Sequence, residues 1–226
     1  VMVTVSVLIN ARTKSTRVPR KLVRTFAGTT LIEIALEKID KMDFFAHRYY
    51  GVAEEELIVK KDKFTNVELL KRKPESVEPG YNKHEVIYEH YRKIESDYIF
   101  WLNPCHPLLT IDTVKRAAEY VLETEHNSYT SMMATTDWIF DEDGIPLTNL
   151  TPNVVSTHHT KKYYKVAHSF HVFKKAYFLK TDQFWTFSQN DPCRIEVPEN
   201  ECLDVDTPFE FETAEAVYIR KQAEER

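Results

Sequence analysis

Glycine is scarce in this chain, at 4 of 226 residues. A phosphate loop built from backbone amides uses several glycines to let the chain approach its ligand closely. Any phosphate site here must therefore lean on side chains. Cysteine is scarce as well: Cys105, Cys193 and Cys202 are three, at irregular spacing. An odd, scattered set argues against a disulfide framework and fits a reducing cytoplasm. No apolar run approaches the roughly 18–20 residues needed to cross a bilayer, which argues against a membrane partner. Val1–Ile9 is apolar but short, without a basic start or a small-residue cleavage site, and reads as a strand rather than a signal peptide. Excess positive charge is missing too, since 30 Lys+Arg against 35 Asp+Glu leave a net charge of -5. That balance speaks against a nucleic-acid partner.

What is present is the mix of a globular protein, 42% hydrophobic and 29% charged, at a length that suits one domain over residues 1–226. The apolar, β-branched start predicts a strand buried on both faces. A polar, cationic stretch (Asn10–Gly28) follows. Leu31, Ile34, Ala35, Leu36 and Ile39 then recur at helical spacing, with Thr30-x-x-Glu33 as a capping box. Further strands are expected at Phe44–Tyr50, Tyr98–Leu102, Tyr129–Ala134, Tyr163–Phe173 and Arg194–Val197. Helices are expected at His84–Ile94, Ile111–Leu122, Ala176–Lys180 and Pro208–Lys221. Alternating strands and helices up to about Thr135 predict an α/β fold with a mostly parallel, Rossmann-like sheet flanked by helices. Residues from about 136 to 164 break the alternation and read as a small inserted arm.

Two clusters carry chemistry. Arg12, Lys14, Arg17, Arg20, Lys21 and Arg24 crowd one loop with no acid before Glu33. In an open α/β sheet the loop after the first strand lies at the edge where ligands bind. Arginine grips phosphate oxygens in a fork, lysine adds a point charge, and Ser15 and Thr16 add hydroxyls. Such a loop suits a triphosphate and its pyrophosphate leaving group, and is equally a solvated basic surface. Near the other end, Asp204 and Asp206 stand at i and i+2, on one side of an extended segment. Two converging acids want a cation between them, and magnesium takes few carboxylates together with substrate phosphates. The same acids also fit a helix start, with Thr207 as cap and Pro208 at the first position.

Ala11-Arg12-x-x-Ser15-x-Arg17-x-Pro19-x-Lys21 resembles the opening signature of the cytidylyltransferases that activate acidic sugars. These are the CMP-N-acylneuraminate and CMP-3-deoxy-manno-octulosonate synthetases. Leu102-Asn103-Pro104-Cys105-His106-Pro107-Leu108 is similar to their Leu-Gln-Pro-Thr-Ser-Pro-Leu motif. Leu203-Asp204-Val205-Asp206-Thr207, followed by Ala214-Glu215, resembles their closing motif. The resemblance implies a nucleotidyltransferase fold, CTP as donor, an acidic small-molecule acceptor, release of pyrophosphate, and a homodimer held by the inserted arm. It implies Arg12 and Lys21 as the catalytic phosphate ligands, with Leu8, Asn10, Ala11, Ser15 and Arg17 around the nucleotide and further contacts from about residues 72–84. It implies Asp204 and Asp206 as ligands of Mg2+, and Asn103 at the acceptor. Where the sialic acid enzymes carry an Arg before Pro-Asn-Gly, this chain reads Lys165-Val166-Ala167-His168. Lys165 and His168 are then the anion-binding candidates. The acceptor stays open among nonulosonic acids, other acidic sugars and phosphonates, and a homologue that binds nucleotide without turnover is the further alternative.

Other constellations weigh less. Cys105-His106 has no orienting acid in sequence, and neighbours on a strand face opposite ways. His158, His159, His168 and His171 lack a zinc spacing. The aromatics from Phe170 to Phe187 read as core or dimer contact.

Overall fold

The computed structural model describes residues 2–225. Seven strands form one sheet: β1 (Val5–Asn10), β2 (Arg48–Val52), β3 (Glu68–Lys71), β4 (Tyr98–Leu102), β5 (Ser128–Thr135), β6 (Tyr163–Lys174) and β7 (Cys193–Glu196). Their order is β3-β2-β1-β4-β6-β5-β7. The pairs β1/β2, β1/β4, β2/β3 and β5/β7 are parallel. β6 runs antiparallel to both β4 and β5. The expected mostly parallel α/β sheet is therefore present, with one reversed strand wedged into its second half. Four helices of regular length accompany it: α1 (Leu31–Asp40), α2 (Ile111–Thr124), α3 (Lys175–Thr181) and α4 (Pro208–Glu224).

Alternation along β1 decides where the layers lie. Val5, Val7 and Ile9 point into the larger core, shared with α1, α2 and α4. Leu8 points the other way, into a second core with Tyr49, Tyr91, Ile99, Phe173 and Phe178. Both faces are covered, which is why the sequence of β1 is apolar throughout.

Local boundaries follow chemistry. Thr110 and Thr207 cap α2 and α4 by accepting from the amides of Thr113 and Glu210. Thr207 and Glu210 complete a capping box. Thr30 caps α1 as expected, but its hydroxyl donates to the Glu33 carboxylate (2.9 Å), which also receives Lys63 (2.7 Å), so the reciprocal half of that box is not made. The first strand begins at Val5 rather than at the chain start, and Val1 lies outside the described residues. The second strand starts four residues late, because Phe44 and Phe45 leave the ladder and Phe45 packs on Phe100 (5.2 Å between rings). His84–Ile94 forms two short helical turns rather than one helix, turning Tyr88 and Tyr91 into the second core.

The piece that matters most for the site is the hairpin Thr25–Phe26/Thr29–Thr30. Phe26 is fully buried, edge-on to Phe211 (5.3 Å) and Tyr218 (5.6 Å) of α4. Glu215 of α4 accepts from the Ala27 amide at 2.7 Å. These contacts tie the end of the basic loop to the last helix, 180-odd residues away in sequence.

At Gly51, on β2 beside Asn10, a Cβ would lie 2.5 Å from Asn10 Oδ1 and 2.9 Å from His90 Nε2. Gly51→Ala should therefore break the buried Asn10–His90 hydrogen bond and lower the unfolding free energy by about 1–3 kcal/mol, read by chemical denaturation; an unchanged midpoint would contradict this packing.

Candidate active site

A cleft of about 690 Å3 opens at the carboxyl ends of β1 and β4. The stretch 10–22 forms one wall, residues 72–91 another, and Trp101, His171, Phe173, Phe184 and Trp185 a third, with Asp206 at the rim. The two charged clusters of the sequence meet here. Lys21 Nζ donates to the Val205 carbonyl (2.7 Å) and lies 3.2 Å from Asp206 Oδ1. Arg17 Nη2 reaches the same oxygen at 2.9 Å. Burial opposes the charge on Lys21, but the Asp206 carboxylate beside it favours the charge, and its pKa stands above the ordinary lysine value. Lys21 is therefore a fixed cation.

The six cations of the loop divide into different tasks. Lys14 pairs with Glu78 (2.6 Å), and Arg20 with Glu56. Arg24 lies over the Phe211 ring, 5.1 Å from its centroid. Arg12 is exposed, lines the cleft and has no ion-pair partner among the described residues. The loop backbone is held by Glu54, which accepts from the Thr13 amide (2.8 Å) and hydroxyl (3.0 Å). These acids (Glu54, Glu56, Glu78) come from distant segments and gave no signal in sequence.

Asn10 and Ala11 line the floor. The Asn10 carboxamide is locked: Oδ1 sits 2.7 Å from His90 Nε2, and Nδ2 donates to the Tyr91 hydroxyl at 3.0 Å. Ser15 and Thr16 line the same wall. Leu8 does not reach the cleft. It is fully buried and paired in the sheet, because the residue on β1 that faces the ligand edge is the last one, not the one two before it. The expected contribution from 72–84 consists of Arg72, Ser76, Glu78 and Tyr81. Arg72 carries a buried Nε with no hydrogen-bond partner, and burial lowers its pKa. It was missed as an individual residue because β3 is a short strand with little alternation.

On the opposite side, Asn103 lines the cleft, with Oδ1 accepting from the Cys105 amide (2.9 Å) and Nδ2 donating to the His168 carbonyl (3.0 Å). Lys38, buried under this turn with its pKa lowered to about 8 by burial, donates to the carbonyls of Pro107 and Leu109, both at 2.7 Å. Lys165 and His168 do not line the cleft, contrary to expectation. At the register shift between β5 and β6 His168 takes φ +58° and is left exposed, with Nδ1 3.4 Å from His171 Nε2. His171 takes the place instead. It stacks on Trp101 (5.3 Å, 9°), lies 5.2 Å from Trp185, and its Nδ1 meets the Thr130 hydroxyl at 2.6 Å. The aromatics read as core are thus split: Phe170, Phe173 and Phe178 are buried, while Phe184 and Trp185 present half-buried faces to the cleft. Rings in this arrangement offer a stacking surface.

The Asp204–Asp206 segment is unpaired with the sheet, and its Val205 is fully buried. Its amide donates to the Cys105 carbonyl at 3.0 Å. Asp206 lines the cleft, and Asp204 sits behind it near His106. An acid does therefore accompany Cys105-His106, yet burial pushes the Cys105 thiol up to about 11, so it stays protonated and is no nucleophile. The donor set, two carboxylates with Asp204 accepting no hydrogen bond within 3.5 Å, suits a hard divalent cation that completes its shell with water and phosphate oxygens.

The profile of the family described as Cytidylyltransferase matches residues 6–224. No curated protein matches the chain. Among solved structures, a CMP:2-keto-3-deoxy-manno-octonic acid synthetase complexed with CTP aligns with TM-score 0.67 at 15% identity, covering 96% of this chain and 99% of that one. A 4-diphosphocytidyl-2C-methyl-D-erythritol synthase from Anaerococcus prevotii aligns at 0.65 and 12%, covering 95% and 96%. The bifunctional IspDF of Campylobacter jejuni aligns at 0.61 and 13%, covering 90% of this chain and 52% of that one. At these identities the solved structures establish the fold.

His90 is buried and its pKa is lowered to about 3 by burial first, then by Arg72 and Lys93. The unfolded chain protonates this ring near pH 6.5 and the folded chain does not, so stability falls as pH drops from about 6.5 toward 3. The loss expected from His90 is on the order of 2 kcal/mol by pH 5. Thermal unfolding across this range should show it, and His90→Gln, whose amide keeps a donor for Asn10 without titrating, should flatten the slope; an identical slope in the variant would refute the assignment.

Proposed function

Since the chain belongs to the cytidylyltransferase family, we propose that it transfers CMP from CTP to an acidic, sugar-like acceptor with release of pyrophosphate. The observation that carries this reading is the clasp of Lys21 and Arg17 on Asp206, with Arg12 left free in the same cleft. Five cations line the cleft (Arg12, Lys14, Arg17, Lys21, Arg72) against two acids (Glu78, Asp206). Such a surplus draws in a triphosphate and favours an acceptor that is itself an anion. The motifs shared with acidic-sugar enzymes support the same acceptor class.

In this reading CTP lies along the 10–21 wall with its base toward Asn10, Ala11 and residues 72–81. Arg12 and Lys21 hold the phosphates, with Ser15 and Arg17 assisting. The acceptor rests against Trp101, Asn103, His171 and Trp185. Its hydroxyl oxygen attacks the α-phosphorus in line. A new P–O bond forms, the bond from the α-phosphorus to the β-phosphate oxygen breaks, the hydroxyl proton passes to solvent, and pyrophosphate departs. The side chains position the reactants and offset the charge that grows on the leaving group. Asp204 and Asp206 would hold Mg2+, which supplies further charge neutralisation at the phosphates.

The arm over about 136–164 is read as the contact of a homodimer. Between a tight turn held by Asp141 and its flanks it exposes Ile139, Phe140, Ile145 and Leu147. Three free cysteines, one half-exposed, support a cytoplasmic setting. Among the described residues no helix is long and apolar enough to cross a membrane.

Pyrophosphate release with CTP, Mg2+ and a panel of acidic sugars and phosphonates tests the activity. Arg12→Ala should lower kcat/KM about 100-fold or more while leaving the unfolding midpoint unchanged, because Arg12 is exposed and in no ion pair among the described residues. CTP binding without pyrophosphate from any acceptor would instead favour a non-catalytic homologue. Sedimentation should show a dimer, and the pair Phe140→Asp and Leu147→Asp a monomer; a wild-type monomer would remove the arm's assigned role.

A further inference from the structure

Five buried polar side-chain atoms find no hydrogen-bond partner among the described residues: Ser6 Oγ, Glu54 Oε2, Arg72 Nε, His106 Nε2 and Asp204 Oδ1. The last two face each other at 3.5 Å. The backbone fixes their approach, because the Val205 amide donates to the Cys105 carbonyl at 3.0 Å. His106 is sealed from solvent, and its other ring nitrogen, Nδ1, lies 3.2 Å from the hydroxyl of Ser169, also fully buried.

This arrangement selects one tautomer. If Nδ1 carried the proton, a bare Nε2 lone pair would face a carboxylate, which is repulsive. With the proton on Nε2, His106 points a donor at Asp204, and the Ser169 hydroxyl donates to Nδ1. The order Ser–His–Asp has the composition of a hydrolytic triad, but its accessibility is reversed. Ser169 is 0% exposed and cannot meet a substrate, whereas the Asp204 side chain is 24% exposed. The chain of donors therefore ends on Asp204.

We propose that His106 is a positioning residue, anchored by Ser169, which holds the Asp204 carboxylate by Oδ1 and leaves its other oxygen aimed at a divalent cation bound between Asp204 and Asp206. The inference rests on the reading of that acidic pair as cation ligands. It accounts for a feature that the acids themselves do not explain. Asp206 is held by Lys21 and Arg17, while among the described residues Asp204 pairs with no lysine or arginine and has His106 facing it. Groups that orient a metal ligand in this way typically change metal affinity 10–100-fold when removed.

The experiment is calorimetry of CTP binding to the full chain with and without Mn2+, which requires no turnover and no acceptor. The quantity read is the factor by which Mn2+ tightens CTP. In His106→Leu this factor should fall about tenfold or more, with metal-free CTP affinity unchanged. His106→Gln, whose amide nitrogen stands near the place of Nε2, should retain it within a few-fold. Asp204→Asn should lose at least as much as His106→Leu. A wild-type factor in His106→Leu together with a reduced one in Asp204→Asn overturns the positioning role and leaves the cation reading standing. A wild-type factor in Asp204→Asn, or no Mn2+ effect in the wild type, overturns the cation reading and the proposal with it. Should His106→Leu fail to fold, His106→Asn against His106→Gln decides: the shorter amide cannot reach Asp204, so equal factors overturn the proposal.

Discussion

The clasp of Lys21 on Asp206 and the Val205 carbonyl is the constraint on which the cleft depends. It joins segments separated by most of the chain, and it exists because two apolar events place them. Phe26 is buried between Phe211 and Tyr218, and Val205 is buried against the turn after β4. Burying a Phe side chain is worth roughly 1.5–3 kcal/mol, more than a partly exposed ion pair contributes on its own. The hydrophobic contacts thus bring the charges together, and the charges then set the geometry between them. In this order of causes the clasp is a consequence of folding, and in the proposed function Lys21 and Arg17 would exchange part of it for the phosphates of CTP without unmaking the core.

The same economy shapes the rest of the basic loop. With only 4 glycines in the chain, the loop does not wrap its ligand with bare amides. Its backbone is pinned by Glu54, and Lys14 and Arg20 are neutralised by Glu78 and Glu56. Arg12 is in no ion pair among the described residues and lines the cleft together with Arg72. A surface that looks uniformly cationic in sequence is thereby reduced to a few directed charges. The opposite wall is built of rings around His171, so one end of the cleft is cationic and the other offers a surface for stacking.

Much of this was legible in the residues. β4 was read to its boundaries, and α2 and α4 to within a few residues, because apolar periodicity and the caps Thr110 and Thr207 agree at those places. Misplaced elements share a cause. Phe44–Phe45 and His84–Ile94 carry the apolar residues of regular structure, but spend them on packing rather than on a ladder or a helix. In the site, Arg12, Ser15, Arg17, Lys21, Asn103 and Asp206 all line one cleft. Leu8, Lys165, His168 and Asp204 do not: Leu8 is buried two residues short of the strand end, His168 sits at a bulge that no local pattern announces, and Asp204 faces His106.

By itself the sequence determined that the chain is α/β and that its charges gather at two places, and the motifs around those places resemble those of cytidylyltransferases. The first two follow from periodicity and residue type, which are local properties. Only the tertiary structure decided which cations are free, that His171 and Trp185 replace His168 at the wall, and that His106 faces Asp204. Each of those depends on a distance between segments far apart in the chain, and such distances are fixed by the packing of the whole core rather than by any stretch of residues within it.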